Sequence, residues 1–347
     1  MRILQKFYTR NSSINNTAKI DLLIFAVIVV LLILTFVCSL LFGATDTISL
    51  KNLFLRSTGD TLSPEFRIIF YVRLPRAIAA ILSGSALAVS GVLIQAVLNN
   101  AMAAPNIIGV NSGAGLAVSI VMAFIPSALF LVPVAAFSGA LFACILIYIV
   151  AKKTGASRMT ITLVGIAVSN IFTAMITTVK TIFPSSLYNL SSFSIGGLAG
   201  INFSVLKYAA PIIIICLIVA YIFSKDVDIL CLGEDTAHSL GMNVGLIRFF
   251  MLIIAAALAG SAVSFAGLLG FVGLVIPHIM RRIIGNRHKL LIPASILYGA
   301  EFVLLCDFIS RILFKPYEIP VGIILAFLGG PFFIGLILVQ RRSKLYD

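Results

Sequence analysis

Apolar residues run through this chain in blocks of about twenty, separated by short polar or basic intervals. A bilayer core of about 30 Å asks for roughly 20 residues of helix. Blocks at 21–42, 75–98, 106–124, 130–151, 160–183, 205–224, 246–267, 270–284, 291–313 and 319–340 therefore predict ten spans. The third and eighth are short and broken by Gly or Pro. Gly267 to Arg281, GLLGFVGLVIPHIMR, is the most interrupted stretch. Gly costs about 1 kcal/mol and Pro about 3 in a helix interior. Irregular backbone at membrane depth is tolerated only inside protein or beside a water-lined cavity. The stretch predicts a turn between the seventh span and a short eighth, in a polytopic protein with a path through it.

Composition fits an all-α integral membrane protein. The 347 residues are 61% hydrophobic and 11% charged, where soluble domains carry about 25% charged residues. Residues 1–20 read as a cytoplasmic N-terminal segment, 21–340 as one transmembrane domain, and 341–347 as a cytoplasmic tail. The first apolar run is too long for a signal-peptide core and lacks a clear cleavage site, so it reads as a retained span. A formal charge of +13 would suggest nucleic acid in a soluble protein. Here the basic residues flank apolar runs and report topology, so no nucleic-acid partner is expected. The sequence has no GxxxxGK[ST], GxSxG or HExxH pattern, so no enzymatic chemistry is expected and ATP-driven work would need another subunit. Cys38, Cys144, Cys216, Cys231 and Cys306 show no metal-ligand spacing, and no metal site is expected.

Charge also sets orientation. With the N-terminus inside, 16 of the 25 basic residues fall on cytoplasmic segments against 9 outside. That excess predicts a multi-pass protein of the cell membrane with both termini cytoplasmic. The outside group is clustered, with Arg67, Arg73 and Arg76 crowding the start of the second span. Two segments also repeat: LSGSALAVSGVL, Leu82 to Leu93, and LAGSAVSFAGLL, Leu258 to Leu269, agree at six of twelve positions. They run in opposite directions across the membrane, as in inverted-repeat transporters. Convergent small-residue packing is the alternative. On either reading Gly84, Gly91, Gly260 and Gly267 pack helices closely near the centre, with Gly270, Gly273 and Pro277 shaping the following turn. Glu301 and Asp307 are intramembrane carboxylates, the groups that a proton- or ion-coupled secondary transporter would need. Arg311 is placed to neutralise Asp307 from one turn away.

Several motifs occur together. RLPR spans Arg73 to Arg76, NNAMAAPNIIGVNSGAG spans Asn99 to Gly115, and LGEDTAHSLGM spans Leu232 to Met242. GLLGFVGLVIPHIMR, Asp307 with Arg311, EIPVGI (Glu318 to Ile323) and GGPFF (Gly329 to Phe333) come after them. In this order they resemble, over nearly the full chain, the permease subunits of binding-protein-dependent ABC importers for iron–siderophore complexes, haem and vitamin B12. Ala101 replaces the usual Pro in the second motif, and Phe193 stands where many members have Trp.

The resemblance implies a type II ABC importer permease that translocates a ferric siderophore, with haem or cobalamin as alternatives. It implies two ATPase subunits that hold the ATP and Mg, an extracytoplasmic substrate-binding protein, and a second permease copy or paralogue in the bilayer. Arg73, Arg76 and Arg311 would meet carboxylates of the binding protein, through the bidentate geometry of arginine. Snorkelling or internal pairing is the competing role for them. The polar stretch 225–245 would couple to an ATPase cleft through Leu232, Gly233, Glu234, Asp235, Ala237, His238, Leu240 and Gly241. Asn100 and Met102 would form a cytoplasmic gate, completed by Ser157 and Thr160, with Gln95 lining the path or bonding a neighbouring helix.

Overall fold

The computed structural model describes residues 2–43, 64–153, 157–184 and 187–343, and no strand occurs among them. The helices track the apolar blocks. After α1 (Arg2–Leu41), the short α2 (Pro64–Arg67) runs through a π-helical turn, Ile68–Arg73, into α3 (Leu74–Leu98). A 3-10 turn at Pro105–Ile108 leads to α4 (Val110–Phe124), then α5 (Val132–Lys153), α6 (Arg158–Ile182), α7 (Leu187–Ile195) and α8 (Phe203–Ile222). Two short helices, α9 (Ser224–Cys231) and α10 (Glu234–Ser239), precede α11 (Val244–Ala266), α12 (Val272–Ile284), α13 (His288–Ile312) and α14 (Val321–Ser343). Seven segments are long and apolar enough to cross a membrane, and α4 and α14 are shorter apolar helices. With the 13-residue α12, they occupy all ten predicted span positions. At 1.5 Å per residue, α12 rises only about 20 Å. It is a partial span, sheltered against α3, α13 and α14.

Two helices form the centre. Buried residues make up 83% of the apolar window in Ile68–Leu98 and 72% in α11, against 17% in α1 and α6. These central helices carry the two copies of the repeat. Their Ala, Ser and Gly faces allow close approach, and small hydroxyls add bonds across the contact. Ser90 Oγ donates to Ala255 O on α11 at 2.7 Å, and Ser85 Oγ to Ile296 O on α13 at 3.0 Å. A Cβ on Gly84 would strike the backbone of Gly299 on α13, and one on Gly260 would press on Ala140 of α5. The second span meets the ninth as the seventh meets the fourth, which is the reciprocity an inverted repeat requires. Shared small-residue chemistry alone would not dictate that pairing.

The π-helical turn has a local cause. Pro75 has no N–H to offer the preceding turn, and Leu74 N instead donates five residues back to Ile69 O. Such widened turns shift the register of the helix beyond them. Here the result puts both Arg73 and Arg76 inside the bundle. At the other interruption, α11 ends on Gly267, whose φ of +69° a side chain would strain. The turn expected between the seventh and eighth spans is therefore present. A Cβ on Gly270 would meet nothing within 4 Å. The residue belongs to the turn, where its carbonyl accepts from Val272 N at 2.8 Å, and packs against no helix.

Candidate functional site

Polar groups collect at the two ends of the bundle. At the α3 N-terminal end, Arg76 Nε reaches both oxygens of Asp307 at 3.0 and 3.1 Å, and its Nη1 reaches Glu318 Oε2 at 2.6 Å. Arg311 Nε lies 3.2 Å from Asp307 Oδ2. Arg311 also donates to Ser39 O at 3.1 Å and Ser39 Oγ at 2.9 Å, while Arg73 Nη1 donates to Leu40 O at 2.9 Å. Deeper along the same contact, Thr35 Oγ1 donates to Glu301 Oε1 at 2.8 Å. Helix α1 is otherwise lined by exposed leucines, isoleucines and valines, so these bonds fasten it to α3 and α13.

This geometry supplies the internal pairing that was the competing role for Arg73, Arg76 and Arg311. They are 4%, 6% and 2% exposed, and each guanidinium bonds within its own chain. A buried cation needs paired carboxylates or carbonyls to offset desolvation, and Asp307, Glu318 and the end of α1 supply them. Asp307 lies 231 residues from Arg76 in sequence, so nothing in the local pattern announced the pairing. What this end does present is a rim: Leu313, Phe314 and Tyr317 are exposed in the connection from α13 to α14. Beside it lies a cavity of about 500 Å³ bordered by Arg76, Phe193, Phe265, Glu318 and Pro320. The end of α7 closes over it through backbone bonds. Leu268 N donates to Phe193 O at 3.0 Å, Gly197 N to Ala266 O at 2.9 Å and Gly322 N to Gly196 O at 3.2 Å.

The opposite end carries α9 and α10. Ala237 is fully buried while Leu232 and Leu240 are about three-fifths exposed, at 62% and 61%. Helix α10 begins after Gly233, with Glu234 and Asp235 in its first turn, where acidic side chains favour the helix dipole. Glu234 also pairs with buried Arg248 of α11. After the helix, Gly241 N donates to His238 O at 2.9 Å and Met242 N to Ala237 O at 3.0 Å, a glycine-terminated cap. His238 is exposed. Asp228 of α9 accepts from His288 N at 3.0 Å and contacts its Nδ1 at 2.6 Å, tying α9 to the start of α13. Cys231 closes α9 half-buried, and burial pushes its thiol up. The sequence reading covered Glu234 and Ala237 but missed Arg248 and the Asp228–His288 pair.

The gate residues are separated into two local structures. Asn100 Oδ1 accepts from Met102 N at 2.9 Å within its own loop. Ser157 caps α6, accepting from Thr160 N at 3.1 Å with the two hydroxyls 2.8 Å apart. The Pro105–Ile108 turn that follows the Met102 loop packs on α6. Gln95 is 2% exposed, and its amide has no partner among the described residues. Sequence reasoning also missed a stripe on α6. Asn170, Thr173, Thr177 and Thr181 are all exposed at helical spacing. The threonine hydroxyls donate to carbonyls one turn back. The Asn170 amide cannot satisfy itself in that way, and polar amides at membrane depth face protein or water. The i, i+3, i+7, i+11 spacing was visible in the sequence, within an otherwise apolar block.

Comparison with known proteins supplies the family. Residues 31–340 match the model of the FecCD transport family. The chain belongs to the FecCD transport family. Among FecCD-type relatives, the Fe(3+)-citrate import system permease protein YfmE of Bacillus subtilis is 36% identical, covering 94% of this chain and 98% of its own. The hemin transport system permease protein HmuU of Yersinia pestis is 35% identical over 91% of this chain and 96% of its own. A solved metal-chelate type ABC transporter in an inward-facing conformation superposes with a TM-score of 0.82 at 28% identity, covering 92% of this chain and 99% of that one. This FecCD chain is thus a multi-pass membrane transport protein.

Proposed function

We propose that this chain is the membrane-spanning permease of an ATP-driven importer for a ferric siderophore or related iron complex, set in the cell membrane with both termini cytoplasmic. The observation that carries this reading is α10, a capped helix flanked by two exposed leucines and held by buried Ala237 and the Arg248 pair. A solvated loop has no need of that arrangement, whereas a separate ATPase cleft would cover Leu232 and Leu240. Relatives that import ferric citrate and hemin support an iron complex as cargo. At the outer end, a substrate-binding protein docks on the rim of Leu313, Phe314 and Tyr317, above the arginine cluster. ATP and Mg are held by the partner ATPases.

The test is ATPase activity of the reconstituted complex, stimulated by binding protein loaded with ferric citrate or a hydroxamate chelate. Leu240→Asp replaces an apolar contact worth roughly 2 kcal/mol, so coupled hydrolysis is expected to fall about 30-fold. The chain itself should stay folded, because Leu240 touches solvent. Uptake driven by an ion gradient with no ATPase present would overturn the reading in favour of a secondary transporter.

On this reading the α6 stripe borders the path, at an interface between two permease copies where a second chain covers the apolar side of α6 and water wets the other. In a cysteine-free background, Asn170→Cys should react with a membrane-impermeant thiol reagent, and Ile171→Cys should resist it. Equal protection of both positions would show that this face looks onto lipid.

A further inference from the structure

At the α10 end, a cavity of about 800 Å³ lies between the end of α12 and the middle of α14. One wall is polar: His278, Arg281 and Arg282 recur at helical spacing on α12, with Asn286 just beyond the helix. The facing wall, from α14, is apolar and includes Phe332 and Leu336, and Ile283 of α12 adds to the apolar lining. Arg281 is the unusual member. Its Nε and Nη2 are enclosed with no acceptor, and among the described residues it joins no ion pair. Those two nitrogens are desolvated without compensation from their own chain, so an anion in the cavity beside the guanidinium would offset the cost. Asp228, in the coupling cluster nearby, pairs with His288 and, among the described residues, forms no ion pair with Arg281.

We propose that this cavity binds an anionic phospholipid, with the phosphate on Arg281 and Arg282 and an acyl chain along Ile283 and Leu336. The occupant is dictated by the two walls together. A free phosphate or a polar iron chelate would leave the apolar wall against water, and a neutral lipid would leave the arginines unmatched. The depth is right as well. On the topology proposed above, on which this inference rests, the arginines lie at the cytoplasmic surface of the membrane. Anionic headgroups concentrate there, and basic pockets between helices hold them.

Native mass spectrometry of the purified full-length chain tests this without ATPase or cargo, so its outcome is independent of the transport reading. The wild-type chain should retain phosphatidylglycerol in preference to phosphatidylcholine. Each arginine removed should weaken retention about fivefold, and Arg281→Gln with Arg282→Gln about 25-fold, while Arg281→Lys keeps most of it. Gly335→Leu supplies a second variant that leaves the charges alone. Gly335 borders the cavity, and a Cβ there meets nothing within 4 Å, so the leucine fills the cavity without distorting the helices and should displace the lipid. Inorganic phosphate should not compete. Equal retention of both lipids, undiminished retention by the arginine variants, or displacement by millimolar phosphate would each overturn the proposal.

Discussion

Replacing Asp307 with alanine is expected to destabilise the chain by about 3–5 kcal/mol, the cost of stripping the partner from buried charges. Asp307 is fully buried and is the group that Arg76 and Arg311 share. Its loss leaves Arg311 with Ser39, the main-chain oxygen of residue 307 and the Phe308 ring, and Arg76 with the partly exposed Glu318. Asp307→Asn should fall between alanine and wild type, because it keeps an acceptor while losing the charge. Arg76→Ala and Arg311→Ala should each be milder than Asp307→Ala, since either leaves Asp307 one cation. Thermal melts of detergent-purified protein, read as the monodisperse fraction after heating, give the ranking. An Asp307→Ala protein as stable as wild type would show that the cluster makes no net contribution to the fold.

Gly91→Val should be nearly as damaging, through shape instead of charge. A Cβ at Gly91 would overlap the backbone of Gly273, where an added Cβ would in turn crowd Leu87 O and Pro105. Overpacking ordinarily costs about 1–3 kcal/mol when side chains can give way. Here the obstacle is main chain on both helices, so α3 and α12 must separate. The expected result is a collapse in the yield of monodisperse protein. Gly270→Val is the internal control, being only three residues from Gly273 yet with open space around it. Equal yields from both variants would mean that the close contact between α3 and α12 is dispensable.

The contrast between these sites also shows what the sequence could disclose. Apolar block length located all ten span positions because a bilayer imposes one length on every crossing, and the interrupted stretch at 267–281 announced its turn through Gly and Pro. The internal repeat was readable because both copies need the same small residues to approach their neighbours. The partners of the arginines were not readable. Asp307 stood one turn from Arg311 and explained it locally, which hid the link to Arg76 across 231 residues. Glu301 looked solitary for the same reason, with its hydroxyl partner on α1, 266 residues away. The α6 stripe failed differently, since its pattern lay within one helix but was diluted by the surrounding apolar residues.

Helix α11 has one further consequence. It starts beside the exposed α10, to which Arg248 binds it, and ends at Gly267, where the α7 loop is stitched across the far cavity. Between those points run 23 residues without a proline, a rod of about 35 Å. Most of its length is gripped by close-packed neighbours, so it can tilt or slide as a unit but cannot easily bend. A displacement of α10 would therefore reach the opposite mouth undiminished. Two openings on opposite sides of a membrane would then share one moving part, and their states could not be set independently.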